Sequence, residues 1–183
     1  MKHTRSHPKS YAVDTIIALL PLSGDAQGSC AIIDPEDVER INALERRWRL
    51  LHGYVACQTR IFESPTRRII RLHRFVIQAP DRLVVDHINH DLLDNRKCNL
   101  RICTQSQNMM NQRPRSTQMT SAFKGVSWNP NSKGWLASIG TGASRIHLGK
   151  FGDPISAAGA YDRAALKMFG EFACLNFPEG RAA

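Results

Sequence analysis

The stretch Val84–Gln112, VVDHINHDLLDNRKCNLRICTQSQNMMNQ, decides how the rest of the chain is read. Asp86 and His87 are adjacent, Asn99 follows twelve residues after His87, and Asn108 nine residues later. A hard divalent cation takes oxygen ligands, which a carboxylate and a carboxamide supply. A neutral imidazole beside such a cation can take a proton from water. A carboxamide oxygen can accept the other ring N–H of that imidazole and fix its tautomer. These are the parts of metal-assisted phosphodiester hydrolysis.

Local signals place those side chains. RLVVDHI, residues 82–88, is apolar and β-branched, a strand that ends on the polar pair. Asp94 precedes a short helical turn, and RIC at 101–103 reads as a return strand. Thr104 and Gln107 have capping-box spacing, so a helix is predicted after Thr104 with Asn108 on its second turn.

VDHIN, then LDNR, NLR, Thr104 and Gln107-Asn108, in that order resemble the HNH nucleases, especially the phage and intron-encoded homing endonucleases. The resemblance implies a ββα-metal fold, a two-stranded ribbon and a helix around one divalent ion, magnesium or manganese. It makes Asp86 and Asn108 the metal ligands, His87 the general base and Asn99 the residue that orients His87. His90 stands where similar sequences usually carry glycine, which bears on how the loop bends and on whether His90 adds a phosphate contact. The L-H-R of TRRIIRLHRFVIQA, residues 66–79, also has a counterpart there. His73 is then either a support for the site or phosphate contact, or a half-buried histidine satisfied by backbone. Arg71 and Arg74 are candidates for DNA backbone contacts.

Net charge is +9 over 183 residues. Residues 1–100 hold 15 Lys/Arg against 12 Asp/Glu, and residues 101–183 hold 10 against 4, so the basic excess leans C-terminal. Nucleic acid is the natural polyanion for it, a merely soluble basic protein is the alternative, and charge alone favours neither. The resemblance to HNH nucleases makes double-stranded DNA the expected partner. Cys30, Cys57, Cys98, Cys103 and Cys174 form no C-x-x-C pair and follow no secretory signal, which fits free thiols in a reducing, cytoplasmic setting. The ligand spacing for a structural zinc is absent, so none is expected. Thr15–Leu22, the longest apolar run, is too short to cross a bilayer. No long heptad pattern calls for a dimer, so a monomer is the expectation, with a small interface left open.

In chain order, Ile16–Leu22 and Cys30–Ile33 read as strands, and Asp34-Pro35 opens a short amphipathic helix through Val38, Ile41 and Leu44. Trp48 is expected in the core. Arg46, Arg47 and Arg49 around it suit a charge-guarded sheet edge better than a phosphate site. LLHGYVACQT reads as a strand pair turning at His52-Gly53.

From Ala122 the period changes. FKGVSW, GWLASIG and SRIHLGKF are three short strands, and Asp153-Pro154 starts an alanine-rich helix with Tyr161, Ala164, Ala165 and Met168 on one side and Gly170 as its stop. Together with AAGAYDRAALKMFG and LNFP, these segments resemble the ethylene-response-factor type of DNA-binding domain. In that family the helix backs a sheet that lies in the major groove. The resemblance implies that Lys124, Ser127, Trp128, Trp135, Ser138, Arg145 and His147 face DNA, with phosphate contacts from Lys124, Lys133, Arg145 and Lys150. For Trp128 and Trp135, packing at the sheet edge is an equal alternative.

The fold expected is α+β: an N-terminal β-rich region leading into a ββα-metal nuclease core, then a three-stranded antiparallel sheet packed on one helix. The divisions expected are a flexible N-terminus at 1–15, the nuclease domain at 16–112 with its core at 66–112, a linker at 113–121, the DNA-binding domain at 122–178 and a tail at 179–183. The function expected is a metal-dependent, site-directed DNA endonuclease of the homing type. The alternative is a non-catalytic DNA-binding regulator that uses the C-terminal sheet. The aromatic stacking signatures of single-strand RNA readers are absent.

Overall fold

In the computed structural model, which describes residues 11–14, 17–24, 28–60, 67–113, 120–142 and 144–178, the chain divides into two units between Cys103 and Thr104. In the first, Tyr11–Asp14 (β1), Ile17–Pro21 (β2) and Cys30–Ile33 (β3) pair antiparallel in the order β1-β2-β3. The segment read as a flexible N-terminus therefore contributes a strand. Residues 1–10, and most of the linker read at 113–121, lie outside the described residues. Alternation buries Ala18 and Leu20 on β2 and Ala31 and Ile33 on β3, and leaves their neighbours half-exposed.

Pro35–Asp37 forms a helical turn, followed by Val38–Asn42 (α1), which buries Ile41. Asp34 does not cap this turn through its side chain. Its Oδ2 accepts the Lys97 backbone N–H at 2.7 Å instead. Arg49–Leu51 (β4) and Tyr54–Arg60 (β5) make the expected pair, and Arg67–Arg71 (β6) completes a second sheet of order β4-β5-β6. His52 and Gly53 both have positive φ, 52° and 81°, as a tight hairpin with matching twist requires.

The segment at 66–79 is not continuous. After β6 the chain winds into Leu72–Ile77 (α2), burying Leu72, His73 and Val76, and stops at Gln78 in the left-handed region. Val84–His87 (β7) and Leu100–Cys103 (β8) form the two-stranded ribbon. One apolar core joins both sheets and the ribbon: Leu20, Ile33, Ile41, Trp48, Val55, Leu72, Val76, Val85 and Leu100.

The second unit begins with Gln105–Asn111 (α3), whose N-terminus has the expected capping box between Thr104 and Gln107. Val126–Asn129 (β9), Gly134–Gly140 (β10) and Arg145–Phe151 (β11) form an antiparallel sheet of order β11-β10-β9, covered by Pro154–Phe169 (α4). Asp153 caps α4 by accepting the Ser156 N–H at 2.8 Å. Its buried face is Ala157, Ala158, Tyr161, Asp162 and Ala165. Met168, expected on that face, is 41% exposed, because the helix period carries it past the edge of the sheet. Among the described residues no helix is long and apolar enough to cross a membrane.

Candidate active site and nucleic-acid surface

Asp86 and His87 are the last two residues of β7, paired across the ribbon with Arg101 and Leu100. Asp86 is buried, and its Oδ2 accepts two bonds from Arg101, from Nε at 2.9 Å and Nη2 at 2.7 Å. The cross-strand register aims these opposite charges at each other, and the ion pair balances a carboxylate that burial alone would penalise.

His87 is 4% exposed and sits in a ring cluster. The His73 ring meets it nearly edge-on, with centroids 5.2 Å apart at 81°, and Tyr54 lies 5.2 Å from His73 and 6.4 Å from His87. Burial lowers the His87 pKa below its ordinary value. The Asn95 side chain and the charges of Asp86, Asp94 and Asp91 work against that shift. The neutral imidazole, the form that can accept a proton, is thus favoured at neutral pH.

Asn99 turns out to hold a loop. Its Oδ1 accepts the Asn89 N–H at 3.0 Å, and its Nδ2 donates to the Asp94 carbonyl at 2.8 Å. Backbone takes both ends of the carboxamide, so Asn99 shapes the 88–95 loop behind His87. The side chain that acts on the imidazole is Asn95, fully buried and donating to the Leu92 and Leu93 carbonyls at 3.2 and 3.0 Å. Within the same loop Arg96 grips Asp94 in a bidentate pair at 2.8 and 2.7 Å. His90 adopts φ 65°, so the loop bends where glycine would bend most cheaply.

The loop is also held from the N-terminal sheet. Ile32 donates its N–H to Leu93 and accepts from Asn95, each at 2.8 Å, while Lys97 pairs with Glu36 and with Asp37. The first sheet is thus part of the site's scaffold.

Asn108 is on α3, in the second unit, whereas Asp86, His87 and Asn99 are in the first. Among the described residues no three His, Cys, Asp or Glu side chains converge on a metal position. The donor set expected here uses one carboxylate and one carboxamide oxygen, with phosphate and water for the remaining positions, and that chemistry fits a hard cation which keeps several waters.

On the C-terminal sheet, cross-strand register sorts the expected DNA contacts into two faces. Ser127 and Lys150 both pair with Leu136, Ser138 pairs with His147 and Gly140 with Arg145. Ser127, Ser138, Arg145, His147 and Lys150 therefore share the face turned away from α4. Trp128 and Trp135 are opposite one another on the other face, with ring centroids 5.2 Å apart, and Trp135 packs against the helix-side core.

Residues 78–110 match the family model described as HNH endonuclease, and residues 121–171 match the AP2 domain. The chain joins an HNH endonuclease domain to an AP2 domain. Over 68 residues it is 43% identical to an AP2/ERF and B3 domain-containing protein of Oryza sativa subsp. japonica, covering 37% of this chain and 18% of that protein. Over 113 residues it is 31% identical to an uncharacterised HNH endonuclease of Acanthamoeba polyphaga mimivirus, covering 58% of this chain and 57% of the relative. The chain thus spans less than two thirds of either relative.

Four cations read as DNA contacts are engaged within their own units. In the first, Arg74 donates to the carbonyls of Leu83, Ala79 and Pro80 at 2.7, 3.2 and 2.8 Å, and so ties down the turn ahead of β7. Arg71 places its guanidinium 5.8 Å over the Tyr54 ring. In the AP2 unit, Lys124 donates Nζ to the Met110 and Gln112 carbonyls at 2.6 and 2.7 Å. Lys150 folds back to the Ser132 carbonyl.

His73 gives the HNH segment's unit a predictable acid sensitivity. It is 5% exposed, and burial, then the charges of His87, Arg71 and Arg74, push its pKa down to about 3. The unfolded chain takes a proton near the ordinary value of about 6.5, while the folded chain refuses it until about pH 3. This contribution to stability is therefore complete above about pH 6.5 and falls as pH drops, by up to about 1.4 kcal/mol per unit. His73→Phe keeps a ring against Tyr54 and His87 and removes the titration. Between pH 6.5 and 4.5 the wild type should lose roughly 2 kcal/mol more than this variant, read as urea midpoints. Equal losses would assign the acid sensitivity to other groups.

Proposed function

We infer that the protein is a metal-dependent DNA endonuclease of the homing type, which binds target duplex through its AP2 sheet and cuts at the HNH segment. The observation that carries this reading is a buried Asp86-His87 pair at the end of a paired strand, on the same chain as a sheet face of polar and basic side chains.

In this reading His87 takes the proton from the attacking water, and its burial among His73 and Tyr54 fixes the direction in which the ring can accept. Asn95 tunes the ring's basicity, and Asn99 holds the loop that carries Asn95. Asp86 and Asn108 would hold magnesium or manganese, which when bound supplies charge neutralisation at the scissile phosphate. Arg101 keeps the Asp86 carboxylate in one orientation. Ser127, Ser138, Arg145, His147 and Lys150 set the register on DNA, with phosphate contacts outweighing base contacts because only Arg145 offers a bidentate guanine reader.

The test is conversion of supercoiled plasmid to the nicked or linear form. With magnesium or manganese the full chain should cut, and with EDTA it should not. Tight duplex binding with no cleavage under either metal would replace this reading with that of a DNA-binding regulator.

A further inference from the structure

Lys124 occupies an unusual place for a lysine on the strand side of a DNA-binding unit. It is half-buried, its ammonium is spent on two carbonyls at the end of α3, and burial lowers its pKa. A helix leaves its last carbonyls unpaired, and a cation there satisfies both their hydrogen bonding and the negative end of the helix dipole. The other end of the lysine is equally fixed. Asn176 accepts the Lys124 N–H at 2.6 Å and donates to its carbonyl at 3.2 Å. Asp162 on α4 in turn accepts the Asn176 backbone N–H at 2.9 Å, its side-chain amide at 3.0 Å and the Phe177 N–H at 2.9 Å. A polar chain therefore runs from α4 through Asp162, Asn176 and Lys124 to α3.

Beside that anchor lies a cleft of about 660 Å³, with Met109 and Met110 of α3 on one side and Gly140, Arg145 and Phe169 on the other. Helix α3 also packs against the Gly170–Phe172 turn and buries Asn111. At its C-terminal end the lysine ammonium ties the Met110 and Gln112 carbonyls.

We propose that Lys124 is a positioning residue for cleavage: it locks the helix that bears Asn108 onto the AP2 unit, so that duplex engagement by the sheet and presentation of that carboxamide are mechanically one event. This rests on the nuclease reading, and it departs from the expectation that Lys124 itself contacts phosphate. A ligand helix held on the DNA-binding unit makes cutting depend on correct seating of the target.

The test uses the full chain with Lys124→Met and the charge-preserving Lys124→Arg. Lys124→Met should raise the manganese concentration needed for half-maximal nicking by about 10–100-fold, as loss of a support to a metal ligand does, and Lys124→Arg should recover part of it. Amide exchange in α3 should accelerate while that in α4 stays slow. The slope of log affinity against log salt for a target duplex should not change. A slope shallower by about 1 with α3 exchange unchanged would make Lys124 a phosphate contact and overturn the proposal. Should Lys124→Met unfold the unit, Lys124→Gln is read in the same way. A wild type that never nicks defeats the nuclease reading alone, and α3 exchange still decides the anchor.

Discussion

Replacing His87 with alanine is expected to lower metal-dependent nicking by about 10²–10⁴-fold, the range that a positioned general base contributes. Duplex binding should stay within about twofold, because the AP2 sheet is in the other unit and none of its outward-facing residues is touched. The imidazole is buried against His73 and Tyr54, so its removal also opens a void in a packed ring cluster. A fold defect is separated from a chemical one by His87→Gln, which fills most of the space without a comparably basic nitrogen. If both variants bind normally and nick at less than a hundredth of the wild-type rate, the loss is chemical. Wild-type cleavage by His87→Gln would remove His87 from the role of base. Asn95→Ala should then slow nicking less than His87→Ala does, since Asn95 acts only on the ring's environment.

The sequence made the ribbon, the capping box and the three C-terminal strands legible, because each rests on short-range chemistry. Alternation of apolar residues, a Thr-x-x-Gln pair and Asx-rich turns act within a few positions. What stayed hidden depends on partners far along the chain. Arg74 reads as a basic residue suited to phosphate, and only the turn at 79–83 shows that its guanidinium is already occupied. Asn95 looks like one more loop asparagine until the fold buries it beside His87. The same holds for Asp162, Asn176 and Lys124, which are separated by up to 52 positions yet form one chain of hydrogen bonds. The helix at Leu72–Ile77 escaped notice because six residues are too few for a clear helical period, and β6 runs straight into it. Trp128 and Trp135 were assignable to a face only once register was known, since a one-residue slip moves a whole strand's side chains across the sheet.

Gly125→Ala is expected to cost the AP2 unit about 2–4 kcal/mol and with it most of its duplex binding. Gly125 has φ 74°, and a Cβ there would lie 2.0 Å from Tyr161 Cδ2, 2.5 Å from Cε2 and 2.7 Å from the Ser138 carbonyl oxygen. Neither neighbour yields easily. Tyr161 is a buried ring on α4, and Ser138 belongs to the central strand and donates its own N–H to the Gly125 carbonyl at 2.9 Å. Gly142 supplies the control that isolates the backbone contribution. Its φ is 87° with nothing within 4 Å of an added Cβ, so Gly142→Ala should cost only the left-handed strain of roughly 1 kcal/mol. Unfolding followed through Trp128 and Trp135 reports the AP2 unit, and Trp48, buried in the first unit, reports the other. The expected result is a large shift of the first transition in Gly125→Ala, a small one in Gly142→Ala, and no change in the Trp48 environment in either. Equal shifts in the two variants would mean that both Tyr161 and the Ser138 carbonyl move aside freely.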